Sequence, residues 1–255
     1  MTKLSPSDKV LIIPDLRTKH ESVEDIIDIV KPKLTIFLGS YFDALEQDTP
    51  EKNVTTAKWL KSSLWKAGRI HLLSNIDLQY AFNHLIFFRQ PSYSHDNASQ
   101  ISAVLSEMDW ATCRFIYWEI YVMCTAGGLD PKSVPEAFRE CKSGQPLYDF
   151  LMEAEHDAWE ALLRGYRHWL YSDAEGGVTS NSRIKDPISN VIQVHGFNRV
   201  PSPARAYNKK GTSFNFGSIK PGDELPPHLC LITGNSAVTP LDTSRLAEYK
   251  ILSPA

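Results

Sequence analysis
An excess of basic charge is missing from this 255-residue chain, in which 27 Lys and Arg stand against 30 Asp and Glu for a formal net charge of −3. Proteins that hold nucleic acid through its phosphates carry a basic domain or a Lys/Arg stripe, so bulk nucleic-acid binding is not expected. A long apolar run is missing too. The greasiest stretch, Phe115 to Met123, is short and contains Glu119, well below the ~20 apolar residues of a membrane span. The first residues, Met1-Thr2-Lys3-Leu4-Ser5-Pro6, lack the apolar core of a signal peptide, and the next apolar run stops at Pro14-Asp15. Cytoplasmic residence, with no membrane partner, is the expectation. Cys113, Cys124, Cys141 and Cys230 are far apart and form no C-x-x-C, which points to reduced, packed thiols. Repeats, low-complexity tracts and long linkers are also absent, so a single domain over residues 1–255 is expected. The chain has no P-loop, no G-x-S-x-G and no G-x-G-x-x-G behind a strand, and its histidines show neither H-x-x-x-H nor H-E-x-x-H spacing.

What is present is a regular alternation in the first eighty residues. Lys9 to Ile13 reads as a buried strand, and Glu21 to Val30 as a helix with Val23, Ile26, Ile27 and Val30 at helical spacing. Leu34 to Leu38 is a second strand, Pro50 to Leu64 a second helix and Ile70 to Leu73 a third strand. This β-α-β-α-β order, with strands apolar on both faces, predicts a parallel sheet covered by helices. Further on, Ser99 to Met108 and Glu153 to Leu163 read as helices, and Trp118 to Cys124 as one strand leading into Ala126-Gly127-Gly128. Ser172 to Pro187 is polar and loop-like. Strands are expected at Val191–Val194, Thr212–Phe216, Leu229–Ile232 and Leu246–Leu252, grouped in a second, more antiparallel sheet, with Gly234 to Thr243 a loop.

In an open α/β sheet, chemistry gathers where strands end. The segments there are Pro14-Asp15-Leu16-Arg17, Gly39-Ser40-Tyr41-Phe42-Asp43, Ser74-Asn75-Ile76-Asp77, Thr125-Ala126-Gly127-Gly128 and His195-Gly196-Phe197-Asn198-Arg199. In order and spacing they resemble the calcineurin-like metallophosphoesterase superfamily, in particular its serine/threonine-phosphatase-like and diadenosine-polyphosphatase-like members. That family's pattern is GDxHG, GDxxD, GNHD or GNHE, a His before Ala-Gly, and GHTP or GHxH. The resemblance runs from about Val10 to Ser218. It implies an α/β fold, a β-sandwich of two mixed sheets flanked by helices.

The family's metal ligands, carried over position by position, are mostly replaced. Asp15 is kept, but Arg17 stands where a ligand histidine is expected and Ser40 where the bridging aspartate is expected. Asp43 survives. Asn75 and Asp77 are kept, with Ile76 in place of the histidine that would protonate the leaving group. Thr125 replaces the histidine before Ala-Gly, Phe197 replaces another, and Arg199 a third. Two divalent ions need anionic oxygens, neutral imidazoles and a bridging group, whereas arginine is a permanent cation with no lone pair to give. No metal and no catalytic residue is therefore expected. The expected role is that of a catalytically inactive pseudophosphatase serving as a binding or scaffold protein.

Arg17 or Arg199 paired with Asp15 would join the loops without an ion. The same arginines, with Arg205, would also suit a phosphate-bearing ligand; Arg205, Lys209 and Lys210 by themselves read as a solvated loop face. The alternative is a divergent phosphoester hydrolase that uses one unconventional ion such as Mn²⁺, drawn from Asp15, Asp43, Asp77, His20 and His195, or Arg-assisted cleavage. His20 is otherwise read as solvent-facing and His195 as a half-buried, hydrogen-bonded residue. Trp59, Trp65, Trp110, Trp118, Trp159 and Trp169 read as packing residues. One or two of them, with Tyr166 and Tyr171, are the candidates for an interaction surface with a protein partner.

Overall fold
The computed structural model describes residues 8–43, 49–119, 122–139, 145–172, 177–179, 188 and 190–196, and the backbone of four further strands. Along the chain these residues form β1 (Lys9–Ile13), α1 (His20–Val30), β2 (Leu34–Phe37), α2 (Pro50–Ser63), β3 (Arg69–His71), α3 (Asn75–Ala81), α4 (His95–Ser102) and α5 (Glu107–Ala111). Then come β4 (Ile116–Glu119), β5 (Val122–Thr125), α6 (Glu136–Arg139), α7 (Gln145–Leu163), β6 (Ile192–His195), β7 (Ala204–Tyr207), β8 (Thr212–Asn215), β9 (Leu229–Thr233) and β10 (Val238–Leu241).

The strands build two five-stranded sheets, ordered β10-β9-β1-β2-β3 and β4-β5-β6-β8-β7. In the first, β1-β2 and β2-β3 are parallel and β1-β9 and β9-β10 antiparallel. In the second, β5-β6 and β6-β8 are parallel and the outer pairs antiparallel. Alternation along β1 explains the layering. Val10 and Ile12 pack with Ile36, Leu38, Tyr117, Val122, Cys124 and Val194 from both sheets. Leu11 and Ile13 face the other way, onto Val23, Ile26 and Val30 of α1 and Ala57 and Leu60 of α2. This is the two-sheet sandwich with helices outside that the motif frames implied, and each fully buried Leu or Ile contributes about 1.5–3 kcal/mol to it.

Helix starts follow local chemistry. Thr49 caps α2 by accepting from Lys52 N, with Pro50 in the first turn. Ser74 with Asp77 and Ser106 with Asp109 form reciprocal capping boxes on α3 and α5. The second box corrects the expected helix over 99–108. The chain leaves α4 after Ser102 and starts α5 afresh at Ser106, which takes the amide of Asp109. The strand expected over Trp118–Cys124 is instead an antiparallel hairpin, Ile116 pairing with Thr125 and Glu119 with Val122. The loop expected over Gly234–Thr243 contains β10, and β9 joins the first sheet rather than the second. The expected strand at Leu246–Leu252 lies outside the described residues. Cys113 and Cys124 are buried free thiols. No helix among the described residues is long and apolar enough to cross a membrane.

Candidate functional site
The loops after β1 and β2 are bound to each other. Arg17 N donates to Ser40 O at 2.7 Å and Thr18 N to Tyr41 O at 2.9 Å. To make this fit, Arg17, Thr18, Ser40 and Asp43 all take left-handed backbone conformations, with φ of 45°, 64°, 57° and 59°. Such conformations are costly for residues bearing a Cβ and persist only where surrounding contacts hold them. Gly39 has φ 95°, and a Cβ there would lie 2.7 Å from both Asp77 Oδ2 and Ser74 N, so only glycine fits the approach of this loop to α3.

The Arg17 side chain closes the same corner. Its Nε donates to Asp15 Oδ1 at 3.1 Å and its Nη1 to the Asp43 carbonyl at 3.2 Å. Asp15 is buried and the guanidinium nearly so. Burial disfavours the Arg17 cation, but Asp15, Asp43 and Asp77 outweigh it and raise its pKa. The ion pair is thus a fixed part of the interior.

Asp77 is engaged from every side. Oδ2 accepts from Ser40 N, Ser74 N and Ser74 Oγ, each at 2.8 Å, and Oδ1 from Tyr41 N at 2.8 Å. Burial pushes its pKa up to about 6, against the pull of the Ser74, Tyr41 and Ser40 donors. Asp43 is similarly occupied: Gln79 Nε2 donates at 2.8 Å, Ser92 Oγ at 2.6 Å, and the Tyr80 hydroxyl donates to Oδ1. Ser74, Gln79, Tyr80 and Ser92 are site residues that the sequence reading missed. Ser74 is recoverable from its S-x-x-D spacing. The other three reach Asp43 across 36 to 49 positions of chain, with no local signal.

Asn75 sits at the first turn of α3, donates its amide to Thr179 O at 3.3 Å and is 5% exposed, while its side-chain Oδ1 is buried without a hydrogen-bond partner. Thr125 and His195 are register partners on β5 and β6. Thr125 Oγ1 accepts from Gly128 N at 2.9 Å, holding the Ala126-Gly127 turn. His195 is fully buried rather than half-buried, beside its neighbour's carbonyl (Nδ1 to Gly196 O, 3.3 Å), and burial lowers its pKa to about 4. His20 is also corrected. It is 7% exposed, stacks on Trp59 with centroids 5.5 Å apart, and meets Thr56 Oγ1 at 3.2 Å. Contacts therefore unite Asp15, Arg17, Ser40, Asp43 and Asp77 in one cluster, with Thr125 and His195 as a separate pair. Phe197 and Arg199 lie outside the described residues, as do Lys209 and Lys210 and the Arg205 side chain.

The donor set does not fit a pair of divalent ions. Ser40, where the resemblance implied a bridging carboxylate, has only a hydroxyl, Asp15 holds a guanidinium, and Asp43 and Asp77 are taken by protein donors. Among the described residues no group of three His, Cys, Asp or Glu is placed to hold a metal ion. The Asn75 Oδ1 atom is an oxygen in want of a partner, but it stands beside no such group.

No family model and no curated protein sequence matches the chain. Solved structures do. A cold-active protein-tyrosine phosphatase of a psychrophilic Shewanella species shares 11% identity, over 92% of this chain and 81% of that one, with a TM-score of 0.50. A second structure of a cold-active protein tyrosine phosphatase shares 12%, over 92% and 79%, with a TM-score of 0.52. A metallophosphoesterase from Sphaerobacter thermophilus gives 11%, 92%, 87% and 0.47. Likeness at such identities bears on the fold alone: the chain shares its two-sheet fold with these cold-active phosphatases.

Proposed function
We propose that this chain is a pseudophosphatase: a protein of phosphoesterase fold that does not turn over phosphoesters and acts in the cytoplasm by binding, with a protein partner or a phosphate-bearing ligand as its target. The observation that carries this reading is the engagement of its carboxylates by protein groups. Asp15 pairs with Arg17, Asp43 accepts from Gln79, Tyr80 and Ser92, and Asp77 accepts from Ser40, Tyr41 and Ser74. A two-ion mechanism needs free anionic oxygens around its ions, and Asp15, which stands at a ligand position of the resembled family, has its Oδ1 on Arg17. Arg17 offers positive charge of its own, but among the described residues no activated nucleophile or leaving-group acid accompanies it.

Hydrolysis assays with 4-nitrophenyl phosphate and bis(4-nitrophenyl) phosphate in Mn²⁺ test this. Rates at the uncatalysed background are expected. Turnover that requires Mn²⁺ and disappears in Asp15→Ala would overturn the reading.

The unpartnered Asn75 Oδ1 favours the alternative, a divergent hydrolase with a single ion such as Mn²⁺ or with Arg-assisted cleavage. In that case Arg17→Ala abolishes turnover; in the reading preferred here it costs stability and leaves no activity to lose.

A further inference from the structure
Two segments that meet at the end of α7 share an unusual composition. Residues 82–93 and 161–172 contain Arg89, Arg164 and Arg167 but no Asp, Glu or Lys, in a chain that is acidic overall. They are packed together. A Cβ on Gly165 would lie 3.5 Å from Leu85 Cδ2, Arg167 Cζ lies 4.9 Å from the Phe87 ring centroid, and the Phe88 and Tyr171 rings are 5.3 Å apart. Tyr171 is buried here. On the outside of this packing, Ile86, Leu163 and Tyr166 are 71%, 72% and 66% exposed. Single exposed apolar side chains need no explanation, but three on adjoining segments form a patch.

The charges around the patch are held in place. Arg89 lies over the Tyr93 ring at 4.7 Å and donates to Asn83 O, and Arg164 pairs with Glu160 one turn back on α7. Stacked guanidinium groups leave their edges available to carboxylates. Arginine and aromatic residues with few lysines and acids is the composition of a protein-binding core; Glu160, on Arg164, lies at its edge. Two copies of the face would set like charges together, which argues against self-pairing.

We infer that this face docks an acidic, amphipathic segment of another protein, whose apolar side chains seat on Ile86, Leu163 and Tyr166 and whose carboxylates meet Arg89, Arg164 and Arg167. The proposal gives the binding role a location, goes beyond the reading of the degenerate site, and stands or falls separately from the turnover assays. The same segment reaches that site through Ser92, which donates to Asp43.

Selection of a phage-displayed random-peptide library on the full chain supplies the probe. Enriched peptides are expected to mix Asp and Glu with large apolar residues. A synthesised winner should bind, by fluorescence anisotropy, at least ~10-fold more weakly to Tyr166→Ala and to Arg167→Glu, both exposed positions, and equally well to Trp65→Ala. Enrichment of peptides without acidic residues, unchanged binding by both variants, or no enrichment would overturn the proposal. So would binding to phosphatidylserine vesicles, or self-association in sedimentation, that the same variants abolish, since the occupant would then be a membrane or a second copy.

Discussion
The two ends of the segment from Phe82 to Tyr93 present opposite solutions to surface chemistry. At Ser92 the chain enters a region where three carboxylates accept from arginine, hydroxyls and amides, and two loops are held in left-handed conformations by mutual hydrogen bonds, with Asn75 Oδ1 left unmatched. At Ile86, apolar side chains stand in water beside arginines laid on aromatic rings. A catalytic site keeps polar groups unsatisfied for its substrate, and a docking site keeps apolar ones. Here the corner after β1 and β2 is closed around its carboxylates, and the open surface is the apolar one.

The strongest challenge to this contrast is Asp77→Ala. It would leave the buried amides of Tyr41 and Ser74 without the acceptor they have now and remove the Asp77 half of the α3 capping box, for an expected loss of about 4 kcal/mol in urea denaturation. A loss under about 1 kcal/mol would show the loops to be held by something else. Next comes Arg17→Ala. Leaving the buried Asp15 carboxylate without its cation is expected to cost about 3 kcal/mol by the same measurement.

Acid is the third lever, and its sign follows from three buried groups. His71 stacks on Phe37 with centroids 4.5 Å apart and contacts Tyr41 and Ser63, and burial lowers its pKa to about 3; His195 is lowered to about 4. Both leave the unfolded chain the better proton binder, so their stability is complete above the ordinary 6.5 and declines as pH falls below it. Asp77 is raised from 3.8 to about 6, so its ionisation costs the fold stability at neutral pH, and that cost is relieved between those values on acidification. Counting these three, the unfolded chain binds one net proton more from about pH 6 to about pH 4; His20, lowered by burial, and Glu155, raised by it, act with opposite signs, so stability should drop by about 1.4 kcal/mol per pH unit. Denaturation across that window should show this slope, and roughly twice the slope in Asp77→Asn. A flat profile would contradict it.

The smallest effect belongs to the open face. Leu163→Ser and Tyr166→Ala should change stability by no more than about 0.5 kcal/mol. Losses comparable to Arg17→Ala would mean that these side chains pack onto the fold and are not held for a partner.

Legibility in the sequence followed how local each cause was. The β1-α1-β2-α2-β3 order was readable because each element carries its own periodicity, whereas the helix starts at Ser74 and Ser106, each marked by a carboxylate three positions on, went unread. The β4-β5 hairpin was not, since apolar residues run from Phe115 to Met123 on both sides of its reversal. Nor was β10, whose Pro240 suggests a loop but is tolerated on the outer strand of the sheet. At the site, the Asp15–Arg17 pair was foreseeable from two residues' spacing and charge. The burial of His20 depends on Trp59 and Thr56 of a different helix, and the partners of Asp43 arrive from α3 and beyond.

The most direct measurement is a calorimetric titration of Mn²⁺ into chelator-treated protein. The closed corner predicts no binding heat at micromolar metal. One or two ions bound with micromolar Kd, and lost in Asp15→Ala, would contradict it and make His20, His195, Asp43 and Asp77 the residues to mutate in search of the other ligands.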